Sequence, residues 1–516
     1  MRPRVGGLAV QPKDLYSSNG ILKVEFSFHT FTDIYGSRFY CYIAGDGSQA
    51  PTLRVSTGDE VVIKLKNDLP ANAGDAHALH DMEVHGPCGS GKMTASTTNL
   101  HFHGLSIPPS CHEDDVLSTL VQPSAAGYEY RFRIPANQSP GLYWYHPHPH
   151  GFSEAQVLGG ASGALIVEGI ERANPKVAGL PERVIVLRDL LGPGTTEETG
   201  DVEGPEPSKD ISIDFVPILH PENAPAAMVA KPNRREFWRI LNAAADTYFD
   251  LQVLTGPSLR EARIPLPLEL VGMDGAPSGR DPAPGRTDIL LPPGARAELI
   301  LTTPPEGVFA RLVTLRYDTG PDGESTPSRV IANFFSSSQS PAAASHIPDS
   351  AASQTRPFSG LVDIAPARER KLYFSEKRLD PNNPKSPVTY FITLDGKQPR
   401  AFDMNFTKPD ITARQGTVED WIIENRATEA HVFHIHQIHF QVLERDGRMV
   451  NEPLLRDTID LRYWDGKSPH YPSLKLRMDF RDLNIVGTFL YHCHILEHED
   501  GGMMGSIRVA RSGVKN

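Results

Sequence analysis

The sequence predicts an all-β chain of three consecutive Greek-key β-sandwich domains, and three observations carry that reading. Segments such as ILKVEFSFHTF (21–31), RFYCYIAG (38–45) and YEYRFRI (128–134) alternate apolar and polar residues with the period of a half-buried strand. Forty-five prolines and 43 glycines supply the turns and edges that a β-rich chain needs. The chain also repeats itself: LRVSTGDEVVIKLKN (53–67) parallels ITARQGTVEDWIIEN (411–425), and REFWRILN (235–242) echoes both. At roughly 100–200 residues per domain, 516 residues suffice for three.

Taken in order, the first domain spans residues 1–172 and closes on GGASGALIVEGI (159–170). Its stretch 71–99 lacks periodicity and reads as a long loop, with His77, His80 and His85 as solvated residues. The second domain, 173–335, holds strands such as RVIVLRDL and ARAELILTT, with no cysteine and no His-x-His pair. It reads as a spacer without metal ligands. The Ser/Ala/Pro-rich stretch 336–355 reads as part of a linker to about residue 365. The third domain spans 366–516. A net charge of -12 with a pI near 5.9 argues against a nucleic-acid partner. No apolar run of about 18 residues occurs, so no membrane-spanning helix is expected.

The chemistry is concentrated in histidines. Four His-x-His pairs occur: His101/His103, His146/His148, His434/His436 and His492/His494. In an extended segment the two imidazoles of such a pair share a face. The last pair brackets Cys493, which therefore points the opposite way, so one strand can serve two metal centres. His498 follows Cys493 by five residues and Met503 by ten, while His431 precedes the third pair. A thiolate, two imidazoles and a weak thioether make a soft donor set that suits copper. Any one pair alone reads more readily as a surface strand or a zinc site. Four pairs with a cysteine relay far exceed what a four-coordinate structural zinc site requires. The duplication includes them, since LHFH (100–103) parallels FHIH (433–436) and GLYWYHPH (141–148) parallels GTFLYHCH (487–494). Two related domains thus present four imidazoles each, and the simplest arrangement sets them face to face.

These segments resemble those of the multicopper oxidases, specifically the group of three-domain laccases, spore-coat laccases, cuprous oxidases and bilirubin oxidases. The resemblance implies three cupredoxin-like sandwiches and four copper ions: one type 1, one type 2 and two type 3. It implies a blue type 1 site of His431, Cys493 and His498 with axial Met503, the neighbouring Met504 being the alternative. It places His101 and His434 at the type 2 copper, and His103, His146 and His494 at one type 3 copper. His148, His436 and His492 fall to the other, and His150 receives no role. Asp114, with Asp115 next, and Glu499 match acidic residues that handle protons. The implied partners are dioxygen and a phenolic or aromatic reductant meeting the edge of His498, with the protein a monomer.

The expected activity is laccase-like oxidation of phenols and aromatic amines. Cuprous oxidases of this group resemble one another in a methionine-rich capture segment, whereas this chain has no methionine between Met273 and Met404. Metal-ion oxidation, bilirubin oxidation and non-catalytic copper binding stay open as alternatives. Copper oxidases of this kind act outside the cytoplasm, and the opening MRPRVGGLAV lacks a signal-peptide core. A periplasmic or extracellular protein whose leader is absent from this chain is the expectation, with cytoplasmic or spore-associated placement open. With Cys493 taken by copper, Cys88 and Cys111 either pair as a disulfide or remain two buried thiols.

Overall fold

The computed structural model describes the chain apart from residues 1–2, 33–37, 72–82, 87, 124–125, 192–205, 279–284, 338–359, 382, 384–385 and 512–516. The stretch read as a linker lies almost entirely outside the described residues, as do His77 and His80. Six sheets pair into three sandwiches. Sheets of five and four strands enclose the first core, which includes Phe26, Tyr42, Ile63 and Tyr145. Sheets of seven and six strands enclose the second, and sheets of seven and five the third. Part of the stretch read as a loop is a short hairpin, Glu83–Gly86 against Gly89–Lys92. Cys88 at its turn is bonded to Cys111.

The sequence repeat has a structural counterpart. Strands Glu60–Asn67, Arg235–Asn242 and Val418–Asn425 each run parallel to the first long strand of their sandwich. Each ends on a buried asparagine whose amide closes the next loop. The Asn67 Nδ2 donates to Ser96 and Val121 carbonyls, Asn242 Nδ2 to Thr247 and Leu291, and Asn425 Nδ2 to Glu429 and Leu461. In all three the Asn Oδ1 accepts from the N–H two residues on. A buried amide that meets both its donor and acceptor needs fixes the chain exit at little desolvation cost.

The histidine strands occupy equivalent places in the outer sandwiches. His101–His103 lies antiparallel to Gly141–His146, with His101 opposite His146. His431–Ile435 lies antiparallel to Gly487–Cys493, with His434 opposite His492. Tight contacts let these sheets meet the middle sandwich. A Cβ on Gly141 would fall 2.7 Å from the Gly275 carbonyl oxygen, and one on Gly294 would fall 2.8 Å from the His494 ring. Among the described residues no helix is long and apolar enough to cross a membrane.

Candidate metal centre

Two buried constellations stand on opposite faces of strand Gly487–Cys493. On one face the Cys493 Sγ lies 3.7 Å from His431 Nδ1 and 3.6 Å from His498 Nδ1, and the two Nδ1 atoms are 3.0 Å apart. The Val432 N–H donates to the same sulfur at 3.3 Å, a contact that stabilises thiolate charge. Met503 is fully buried in the same apolar cluster as Cys493. Met504 packs instead with Val116, Phe402 and Leu490. Phe374 lies against His431 at 5.0 Å, and Tyr390 stacks on His498 at 4.3 Å. The far nitrogen of His498, Nε2, lies 3.1 Å from Glu429 Oε1. His498 is only 3% exposed and Glu429 5%, so the ring edge expected to meet a donor is covered by a carboxylate.

On the other face all eight paired imidazoles converge, four from each outer sandwich, and all are buried. His101 stacks on His436 at 3.9 Å and His103 on His434 at 3.9 Å, each stack joining the first sandwich to the third. Three trios present ligand atoms within 4.8 Å of one another: His101/His103/His434, His103/His146/His494 and His148/His436/His492. Within them His436 Nε2 is 3.2 Å from His492 Nε2, His148 Nε2 is 3.5 Å from the same atom, and His494 Nε2 is 3.3 Å from His103 Nδ1. Burial first, and the neighbouring imidazoles second, push His101, His146 and His434 well below the usual histidine range, and burial brings His492 to about 4. These rings are therefore neutral, with lone pairs free to bind a cation.

The donor set fits metal ions on a further observation. His101 Nε2, His146 Nε2 and His434 Nε2 are buried without a hydrogen-bond partner, while the other nitrogen of each ring is engaged. Buried polar atoms are seldom left alone, and a ring held by one nitrogen with the other bare is the state of a metal ligand. Asp114 holds His101, its two oxygens 3.0 and 3.1 Å from Nδ1, and accepts from the Phe102 N–H and from Gln437 Nε2. Asp115 instead caps a turn at Ser118, away from the imidazoles. Glu499 is fully buried, with Oε2 3.1 Å from His492 Nδ1 and Oε1 3.5 Å from His148 Nδ1. Burial raises the carboxyls of both Asp114 and Glu499 well above the usual range. His150 is buried against Phe402.

Residues that motif reading passed over complete the surroundings. Asp457 Oδ1 lies 3.2 Å from His103 Nε2, and the Asp457 carbonyl lies 2.8 Å from His434 Nδ1. Glu429 belongs with them. No pattern marks either residue, because each acts across a loop or a domain boundary.

The comparisons with known proteins agree with this geometry. Two family models, both described as multicopper oxidase, match residues 92–172 and 380–513, the segments that carry every paired histidine. A multicopper oxidase of Staphylococcus haemolyticus is 26% identical over 93% of this chain and 86% of its own length. A laccase of Bacillus subtilis is 24% identical over 88% and 87%. The Campylobacter jejuni multicopper oxidase, described as a metallo-oxidase, shares the fold with a TM-score of 0.67 at 23% identity, covering 99% of this chain and 96% of that one. The Aquifex aeolicus enzyme does so with a TM-score of 0.67 at 19% identity, covering 98% and 99%. Three cupredoxin-like sandwiches around a buried imidazole cluster define a copper-binding oxidoreductase. The chain belongs to the three-domain multicopper oxidases.

Proposed function

We propose that the chain is a laccase-type oxidase holding four copper ions, which takes single electrons from phenols and aromatic amines and passes four to dioxygen to form water. The observation that carries this reading is Cys493. Its sulfur belongs to the His431/His498 group, while its neighbours His492 and His494 belong to two imidazole trios. Bound copper supplies the one-electron chemistry and the reduction of dioxygen. His431, Cys493 and His498 would hold the blue-site ion, with Met503 tuning it, and His101 with His434 would hold the type 2 ion. His103, His146 and His494 hold one type 3 ion, and His148, His436 and His492 the other.

The chain's own residues then have separable tasks. Cys493 gives a covalent path of a few bonds from the sulfur to each flanking imidazole. Asp114 orients His101 through Nδ1 and leaves Nε2 bare. Burial penalises the charged forms of both Asp114 and Glu499 and raises their carboxyls well above the usual range, which suits each to hold and deliver a proton beside the imidazoles. The apolar cluster around Cys493 excludes water from the blue site. We place this activity outside the cytoplasm, where the Cys88–Cys111 bond persists.

One observation favours a second donor class. Glu429 covers the His498 edge, and Glu376 lies beside Glu429, its own carboxyl raised to about 9 by burial and by that neighbour. The Glu429 carboxylate at the point of entry, with Glu376 held neutral beside it, favours cationic donors, reduced metal ions among them. A panel of catalytic efficiencies for a neutral methoxyphenol, a cationic aromatic amine, ferrous ion and cuprous ion separates the two readings. Preference for the two organic donors supports a laccase; a large preference for either metal ion replaces it with a metallo-oxidase.

A further inference from the structure

The second sandwich carries none of the paired histidines, yet one of its side chains reaches both of the sandwiches that do. Arg296, fully buried at the start of strand Arg296–Thr302, sends Nη1 and Nη2 to Asp457 Oδ1 and Oδ2 at 2.6 Å each. Its Nε donates to the Leu142 carbonyl of the first sandwich at 3.2 Å, and its Nη1 also to the Gly294 carbonyl of its own. Its backbone N–H is fixed by Asp274 Oδ1 at 2.9 Å. One guanidinium therefore ties three domains together.

Asp457 is the partner that matters for the imidazoles. Its Oδ1 and the Thr458 Oγ1 both lie 3.2 Å from His103 Nε2, and Thr458 Oγ1 donates to that same Oδ1 at 2.8 Å. A hydroxyl whose proton goes to Asp457 can only accept from His103, so the His103 proton sits on Nε2 and the lone pair on Nδ1. Nδ1 is the nitrogen that faces His494 Nε2 at 3.3 Å. The Asp457 carbonyl meanwhile accepts from His434 Nδ1, leaving His434 Nε2 bare. One residue thus sets the tautomer of two imidazoles, one from each outer sandwich. Gly104, directly after His103, makes room for the pair: a Cβ there would stand 2.5 Å from Arg296 Nη2 and 2.6 Å from Asp457 Oδ2.

We propose that Arg296 is a positioning residue for the metal cluster. By gripping both oxygens of Asp457 it fixes which nitrogen of His103 and of His434 is offered to metal. The middle domain is then part of the site and more than a spacer. A rigid planar fork is needed for this, because a single ammonium cannot hold both carboxylate oxygens in one orientation. The inference rests on the four-copper reading above, so wild-type protein is read first: a blue absorption band and four coppers per chain establish that reading independently of any variant.

The test compares copper-loaded wild type, Arg296→Lys and Arg296→Met in the full chain. Readouts are the blue band, the type 2 electron paramagnetic resonance signal, copper retained against a chelator, and the thermal midpoint. The expected result is an undiminished blue band with an altered type 2 signal and cluster copper lost about 10–100-fold more readily. Lysine should fall between wild type and methionine, and it reads the proposal alone if Arg296→Met does not accumulate as folded protein. Two results overturn the proposal. One is unchanged type 2 signal and copper retention in Arg296→Lys. The other is a lowered midpoint with blue and cluster copper lost in parallel, which marks a merely structural ion pair.

Discussion

Glu429 Oε1 lies 3.1 Å from His498 Nε2, so a carboxylate covers the imidazole whose outer edge was expected to meet the reductant. Under the proposed function, this contact would give the entry point a charge preference. Glu429→Gln should lower kcat/KM for a cationic aromatic amine about tenfold, equivalent to about 1.4 kcal/mol. A neutral methoxyphenol should change far less. Stopped-flow reduction of the blue band by each donor measures both, and equal changes for the two would contradict a role for this carboxylate in donor choice.

Met503 shares the apolar cluster of Cys493, whereas Met504 packs against Val116 and Phe402 on the other side of the strand. A weak axial thioether tunes the potential without holding the metal. Met503→Leu should therefore keep the colour and copper content and raise the blue-site potential, at a stability cost below about 1.5 kcal/mol. Met504→Leu should leave the potential unchanged. A redox titration in which Met504→Leu shifts and Met503→Leu does not would reverse the assignment.

Asp114 binds the His101 ring, and Asp115 does not reach it. Asp114→Asn should leave reduction of the blue band by donor at the wild-type rate. Oxygen turnover should fall by about 10²-fold or more, the size of a lost general acid. Asp115→Asn should change neither rate. Oxygen uptake unaffected by Asp114→Asn would place the proton route elsewhere.

Asp214, buried in the second sandwich and far from the imidazoles in sequence, offers a pH test of the fold. Burial lifts its carboxyl from 3.8 to about 7, despite an N–H from Val186 at 2.9 Å that acts the other way. Between about pH 4 and 7 the folded chain holds a proton that the unfolded chain has released. Stability from this group is therefore lost as pH rises through that window. Asp214→Asn keeps the acceptor for Val186 and suits the left-handed backbone there, φ 48°. It should raise the thermal midpoint at pH 8, by a stabilisation of about 1–4 kcal/mol, and leave it unchanged near pH 4. An equal gain at both pH values would show that charge burial is not the cause.

Much of this was legible in the sequence because strand parity is a local property. Alternation of side chains sends His492 and His494 to one face and Cys493 to the other, and the repeat identifies which strands are equivalent. Adjacent candidates were harder. Met503 and Met504 straddle the start of a strand, Asp114 and Asp115 lie in a turn, and in both pairs only packing shows which neighbour faces the site. Arg296, Asp457 and Glu429 were not legible at all. Arg296 meets Asp457 across 161 residues and Asp457 meets His103 across 354, and such contacts exist only where the three sandwiches meet.

The most direct test of the four-copper reading is to count copper and electrons together on the same preparation. Reconstituted protein is assayed for copper per chain, and its oxygen uptake is titrated with a one-electron phenolic donor in a sealed cell. The account predicts four coppers per chain, an intense blue band that disappears in Cys493→Ser, and four donor molecules oxidised per dioxygen with no hydrogen peroxide. One copper per chain with no oxygen uptake, or two donors per dioxygen with peroxide accumulating, would contradict it.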